Sequence, residues 1–135
     1  MNESEKANII AAHGLYEGIS NRDWGGVSQV LHEDVTWTIV AQSIPGGSVY
    51  KGRKHVIDDF LWPASERFLP GSPQIRILRS FAGGDDVAVE TFTSGHLRTG
   101  GRYNNNYGWF LKFKDGKIFD VREYLDTQSA AAQLG

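Results

Sequence analysis

The apolar positions of the first twenty residues recur at helical spacing. Ile9, Ala12, Tyr16 and Ile19 fall on one stripe with Leu15 beside them, which predicts an amphipathic helix over 3–20 with one buried face. Asn21 or Asp23 is placed to cap a second, short helix that turns Trp24, Val27, Val30 and Leu31 inward and stops in the polar run His32, Glu33, Asp34. The period then changes to two. Val35, Trp37, Ile39 and Ala41 alternate with Thr36, Thr38 and Val40, the pattern of a strand. Beyond a turn-rich loop holding Pro45, Gly46 and Gly47, the spacing of Val56, Ile57, Phe60 and Leu61 predicts a third helix over 54–61. Pro63 must end or kink it, because proline removes a donor and crowds the carbonyl one turn back. A further turn reaches about Phe68, and Pro70, Gly71 and Pro73 close the helical half.

From Gln74 to Asp126 the chain reads as strands joined by tight turns at Gly83-Gly84-Asp85-Asp86, Thr99-Gly100-Gly101 and Asp115-Gly116, the last in a favoured hairpin position. The order is helices, strand, helix, then a long antiparallel meander, with no repeat or linker, so residues 1–135 form one α+β domain. A curved sheet with helices on one face must bury that face. The helices cannot fill it, and a pocket at the open end follows.

Composition narrows the function classes. With 135 residues, 40% hydrophobic, the chain can bury one core without disulfide or metal staples. A net charge of -2 offers no footprint for a phosphate backbone, so nucleic acid is not an expected partner. The absence of Cys removes thiolate chemistry and disulfides. The opening MNESEKANII lacks the basic and apolar regions of a signal peptide and no apolar run reaches spanning length; the expectation is a cytoplasmic chain with no membrane partner. The aromatic share, 12% with four Trp, asks for a use.

The run ETFTSGHLRTGGRYNNNYGWFLKFKDGKIFDVREYLDT, residues 90–127, resembles the SnoaL-like, ketosteroid-isomerase-related proteins of the nuclear transport factor 2 superfamily. The aromatic-Asn-x-x-aromatic pattern followed by DGKI and REYLD is similar to their last two strands, TGGRY to their hairpin turn, VYKGRKHVIDDF to the approach to their third helix, and HEDVTW to the entry of their first strand. The resemblance spans nearly the whole chain. It implies a cone-shaped, cystatin-like fold with three N-terminal helices packed on a curved, mostly antiparallel sheet. Such folds carry isomerases, cyclases, epoxide hydrolases, dehydratases and non-enzymes. Two of those chemistries lack their residues here. Similar epoxide hydrolases carry an Arg and an Asp two residues apart on the strand of Glu90 and Phe92, and only their last acid, at Glu123, is retained. Ketosteroid isomerase would place acids near Thr38 or Ile39 and near Tyr107, and neither is present.

Strand alternation puts Tyr103, Asn105, Tyr107, Trp109, Leu111 and Phe113 on one face, and Phe119, Val121, Glu123 and Leu125 on one face of the next strand. Ala88, Glu90 and Phe92 share a side that the resemblance assigns to the same concave surface. These rings either fill a core or, with Trp37, line a cavity. Glu123, flanked by Val121 and Leu125, must find a partner or take up a proton more readily; it is either a general acid or base or a structural carboxylate held by Arg or backbone amides. Glu90 is either its catalytic neighbour or the partner of Arg76 or Arg79. Tyr16 either donates to a ligand carbonyl or is tethered to a backbone carbonyl. Asn105 could orient a ligand oxygen or hold Glu123. His13 and Glu17, four apart on a helix, lack a third ligand, so no metal is expected.

Two functions fit. One is a cofactor-independent acid/base enzyme, an isomerase, dehydratase, cyclase or hydrolase, acting on a small apolar carbonyl- or hydroxyl-bearing metabolite. Glu123 and Glu90 would be catalytic, and Tyr16, Trp37, Phe60, Phe92, Asn105, Tyr107, Trp109 and Val121 would bind substrate. The other is a non-catalytic ligand-binding or dimerisation module. Phe110 and Tyr124, facing outward without cover, suggest a homodimer through the outer sheet face.

Overall fold

The computed structural model describes residues 1–41 and 49–134, and the expected turn at Pro45, Gly46 and Gly47 lies outside them. In chain order the elements are α1 (Glu3–Ser20), α2 (Trp24–Val30), β1 (Leu31–Ile39), β2 (Val49–Lys51), α3 (Arg53–His55), a π-helical segment (Val56–Leu61), α4 (Trp62–Ser65), β3 (Gln74–Gly83), β4 (Asp86–His96), β5 (Arg102–Lys114), β6 (Lys117–Leu125) and α5 (Thr127–Leu134). The six strands form one sheet in the order β2-β1-β6-β5-β4-β3, with β1 parallel to β6 and every other pair antiparallel.

Local chemistry sets the helix ends. Asn2 caps α1 in a reciprocal capping box with Glu5, and the second oxygen of Glu5 accepts the Gly84 N–H at 2.9 Å, pinning α1 to the β3–β4 turn. Asp23 caps α2. That helix passes straight into β1 at Leu31, so His32, Glu33 and Asp34 belong to the strand rather than to a loop. The pairing of β1 with β6 shifts register between Leu31 and Thr36 to admit them. The third helix does not stop before Pro63. A π turn, with the Trp62 N–H donating to Ile57 O, carries it through to Ser65, and the wider turn relieves the crowding that proline imposes. Helix α5, which the apolar pattern did not predict, is built from an Ala-rich stretch whose first turn is held by Asp126 accepting the Ser129 N–H.

The four long strands run where the alternation and turns place them, but two face assignments change. Opposite residues of an antiparallel pair share a face, and Val89 opposes Trp109 while Thr91 opposes Tyr107. Val87, Val89, Thr91 and Thr93 are therefore inside, and Ala88, Glu90 and Phe92 lie on the outer face. There Glu90 pairs with Arg79 at 3.0 Å and Phe92 lies beneath the Arg76 guanidinium. On β6 an extra residue between Ile118 and Asp120 turns Phe119 outward, against His32 and Lys114, and Ile118 takes the buried place.

The core joins Ala12, Leu15 and Tyr16 of α1 and Val27 of α2 to the inner faces of β1, β4, β5 and β6. A smaller cluster of Phe68, Leu97, Tyr103 and Ala130 sits at the other end, beneath α5. Between the two, Arg22 joins the helical pair to the 65–72 segment. It takes a left-handed backbone, φ 53°, and its guanidinium donates to Ser65 O at 2.8 Å and to Phe68 O and Ser72 O at 3.0 Å. Replacing Arg22 with Met keeps the stem and strands these carbonyls. The expected cost is about 2–4 kcal/mol, read as a lower urea midpoint with an unchanged slope.

Candidate functional site

Where the helices stop covering the sheet, its inner face and the π segment enclose a cavity of about 400 Å³. The sheet supplies Trp37 from β1, Tyr103, Tyr107 and Trp109 from β5, and Glu123 and Leu125 from β6. Phe60 and Leu61 of the π segment form the opposite wall, and Ala130 and Leu134 of α5 close an end. The rings brace one another. Tyr107 stacks on Trp109 at 5.5 Å, Trp37 stands edge-on to both Trp109 and Phe60, and Tyr50 stacks on Phe60 at 4.8 Å.

Glu123 is the only titratable carboxyl buried among the described residues, 7% exposed. Its register explains the position: on β6 it opposes Trp109, with Ile39 of β1 on the other side, so it points into the aromatic wall. One oxygen accepts the Trp37 indole N–H at 2.8 Å. The other has no hydrogen-bond partner among the described residues, and no Arg or Lys forms an ion pair with the group. Burial pushes its pKa up from 4.5 to about 7, with the indole N–H pulling weakly the other way. Near neutral pH this carboxyl can therefore both give and take a proton.

Three phenols surround it. Burial, reinforced by the negative field of Glu123, raises Tyr16 and Tyr107 above the usual tyrosine range, and burial also raises Tyr103. All three remain neutral hydrogen-bonding groups. Tyr103 and Tyr107 share a 2.6 Å hydrogen bond, and Asn105 donates to the Tyr103 hydroxyl at 2.8 Å.

Of the residues expected at the site, Trp37, Phe60, Tyr107, Trp109 and Glu123 come together around the cavity. The others do not. Glu90 and Phe92 are on the far side of the sheet, where Glu90 borders an open hollow of about 430 Å³ around Gly108, with no buried carboxyl in it. Val121 is sealed in the core beneath the cavity floor. Tyr16 is fully buried against Trp109, and its hydroxyl meets neither a backbone carbonyl nor any other partner among the described residues. Asn105 does not reach Glu123; it serves Tyr103 and Asp126 instead.

The profile of the SnoaL-like domain matches residues 12–121. The chain belongs to the SnoaL-like domain family. Solved structures agree on the fold. This SnoaL-like domain superposes on TerC, co-crystallised with polyporic acid, with a TM-score of 0.83 at 21% identity over 95% of this chain and 98% of the other. A Jannaschia protein described as a SnoaL-like polyketide cyclase gives 0.83 at 14% identity, covering 98% and 94%. An M. tuberculosis epoxide hydrolase of the LEH-like kind gives 0.78 at 20%, covering 96% and 93%. No curated protein matches the sequence.

Several wall residues of this SnoaL-like domain escaped the alternation pattern. Tyr103 was placed on the right face but not recognised as a site residue; its spacing from Tyr107, two strand repeats, was the available signal. Ala130 and Leu134 could not be placed without predicting α5. Burial of Glu123 also has a measurable thermodynamic sign. Its pKa is raised in the folded chain, so the folded state holds the proton more tightly than the unfolded one between pH 4.5 and about 7. Stability contributed by the neutral carboxyl is thus complete below pH 4.5 and is lost as pH rises through about 7. Urea unfolding at pH 5 and pH 8 should show wild type losing about 3 kcal/mol more than Glu123→Gln across that interval.

Proposed function

We propose that this SnoaL-like domain is a cofactor-independent acid/base enzyme acting on a small, largely apolar and planar organic molecule that carries a carbonyl or hydroxyl oxygen. One observation carries the reading: a buried carboxyl with no cationic partner, one oxygen on an indole N–H and the other toward an aromatic cavity. A structural carboxylate of this kind would be locked to an Arg, and Glu123 is not. In the proposed step the Glu123 carboxylate takes a proton from carbon next to a carbonyl. The C–H electron pair becomes the new C=C bond and the carbonyl π pair moves to oxygen, giving an enolate; return of the proton at another carbon or loss of a β-leaving group completes isomerisation or elimination. The flat walls formed by Trp109, Tyr107 and Phe60 suit an aromatic or polyketide-like skeleton. The polyporic acid of TerC and the cyclase description of the Jannaschia protein support that class of ligand.

Glu123→Gln keeps the side chain's shape and its bond from Trp37 but cannot exchange a proton. With a ketone substrate the variant should remain folded, bind within a few-fold of wild type, and lose about 100-fold or more in kcat or in deuterium exchange at the α-carbon. A folded variant that exchanges at the wild-type rate sinks the assignment.

The domain is also proposed to pair through its outer sheet face, where Phe81 and Phe110 are 61% and 58% exposed and Phe110 meets Tyr124 edge-on. Light scattering should give twice the 15.0 kDa chain mass, falling to the chain mass for Phe110→Asp.

A further inference from the structure

The polar groups of the cavity are arranged with a direction. Asn105 is buried, and its side-chain oxygen accepts the Asn106 backbone N–H at 2.9 Å, which leaves the amide NH₂ on the other branch. Both hydrogens of that NH₂ are committed, one to Tyr103 Oη at 2.8 Å and one to Asp126 O at 3.0 Å. Tyr103 and Tyr107 then share a single proton across 2.6 Å. If Tyr107 supplied it, the Tyr103 oxygen would accept twice and its own proton would need another acceptor. Tyr103 is 2% exposed, and no third group bonds to its hydroxyl among the described residues. If Tyr103 supplies it, every donor behind Tyr107 is satisfied, and the one uncommitted proton belongs to Tyr107, the more exposed of the two and a wall of the cavity. Accepting the Asn105 N–H also makes Tyr103 the stronger donor, and bonds in such a chain polarise one another in sequence.

We infer that the chain Asn105 to Tyr103 to Tyr107 presents a polarised O–H donor to the cavity, so that the ligand places an acceptor oxygen, a ketone or the enolate formed from it, on Tyr107. Tyr107 is then a catalytic residue in the sense of touching the reacting oxygen, whereas Tyr103 and Asn105 are positioning residues. The inference deepens the acid/base reading and rests on it for the part played by Glu123. The division of labour is a base on one side of the ligand and a neutral donor on the other. A buried phenol held protonated donates without adding a charge that would compete with Glu123.

The donor is tested without turnover. 2-Acetylnaphthalene and the smaller acetophenone carry an acceptor and no donor, and 2-isopropenylnaphthalene and α-methylstyrene have the same shapes with CH₂ in place of oxygen. In wild type, the infrared C=O stretch of the ¹³C-labelled ketones should fall below its value in hexane. Tyr107→Phe should return it toward the hexane value and weaken ketone binding about tenfold, with hydrocarbon binding unchanged. Tyr103→Phe leaves the Tyr107 proton in place but removes its polarising partner, so the stretch should lie in between. That graded shift is one a purely structural role would not produce. Should Asn105→Leu fail to fold, Tyr103→Phe still decides the point. An unshifted C=O stretch in wild type, a shift that survives Tyr107→Phe, a shift that vanishes only in Glu123→Gln, or exclusion of all the ketones overturns the inference. Failure of the acid/base reading looks different: Glu123→Gln would keep its exchange rate while the Tyr107-dependent shift persisted.

Discussion

A sheet can bury only as much of a face as its helices cover, and here the helices run out before the strands do. Strand β5 is thirteen residues long and paired on both sides, so its inner face needs cover from end to end. Over Leu111 and Phe113 that cover comes from α1 and α2, which form the main core with Val27, Leu15 and Ala12. Over Tyr107 and Trp109 it comes from the π segment and α5, which stand farther off and leave space. The cavity is thus the remainder of a packing problem. Large rings are the economical answer, because each spans much of the gap and braces its neighbour edge-on or stacked.

Placing a carboxyl in that remainder has an energetic cost that nothing in its surroundings removes. A single indole N–H stabilises the charged form of Glu123, while desolvation acts in the opposite sense and dominates. The same surroundings keep the neighbouring phenols protonated, so one group able to exchange a proton at neutral pH stands among several that cannot. A site of this kind separates roles by environment rather than by residue type, since acid, base and neutral donor are each defined by what lies within a few ångströms.

Much of this was legible in the sequence. The helical stripe of α1, the period-two runs of β3 to β6 and the glycine turns are local signals, and each is set by interactions within a few residues. The burial of Glu123 followed from its neighbours Val121 and Leu125. The failures are non-local. Alternation says which residues of β4 share a face but not which face is inside. Phe92 drew the choice toward its own side, although Val87, Val89, Thr91 and Thr93, four β-branched residues at period two, mark the inner one. The extra residue at Phe119 is a property of the β5–β6 pair. Asn105 was expected in the cavity because its face was right; its partners, Tyr103 and the carbonyl of Asp126, depend on how the chain leaves β6.

Helix α5 supplies Ala130 and Leu134 to the cavity wall, and it is fastened by Gln133, which donates to Asn104 O and accepts the Asn104 N–H, and by Arg67 donating to Leu134 O. The stretch shared with the family ends at Val121, so Glu123, Leu125 and the whole of α5 lie beyond it. Kinship and chemistry are therefore inscribed in different parts of the chain. Substitutions at Ala130 or Leu134 can resize the chamber while leaving the hallmark segment untouched, giving this scaffold a place to drift in ligand preference without disturbing what makes it recognisable.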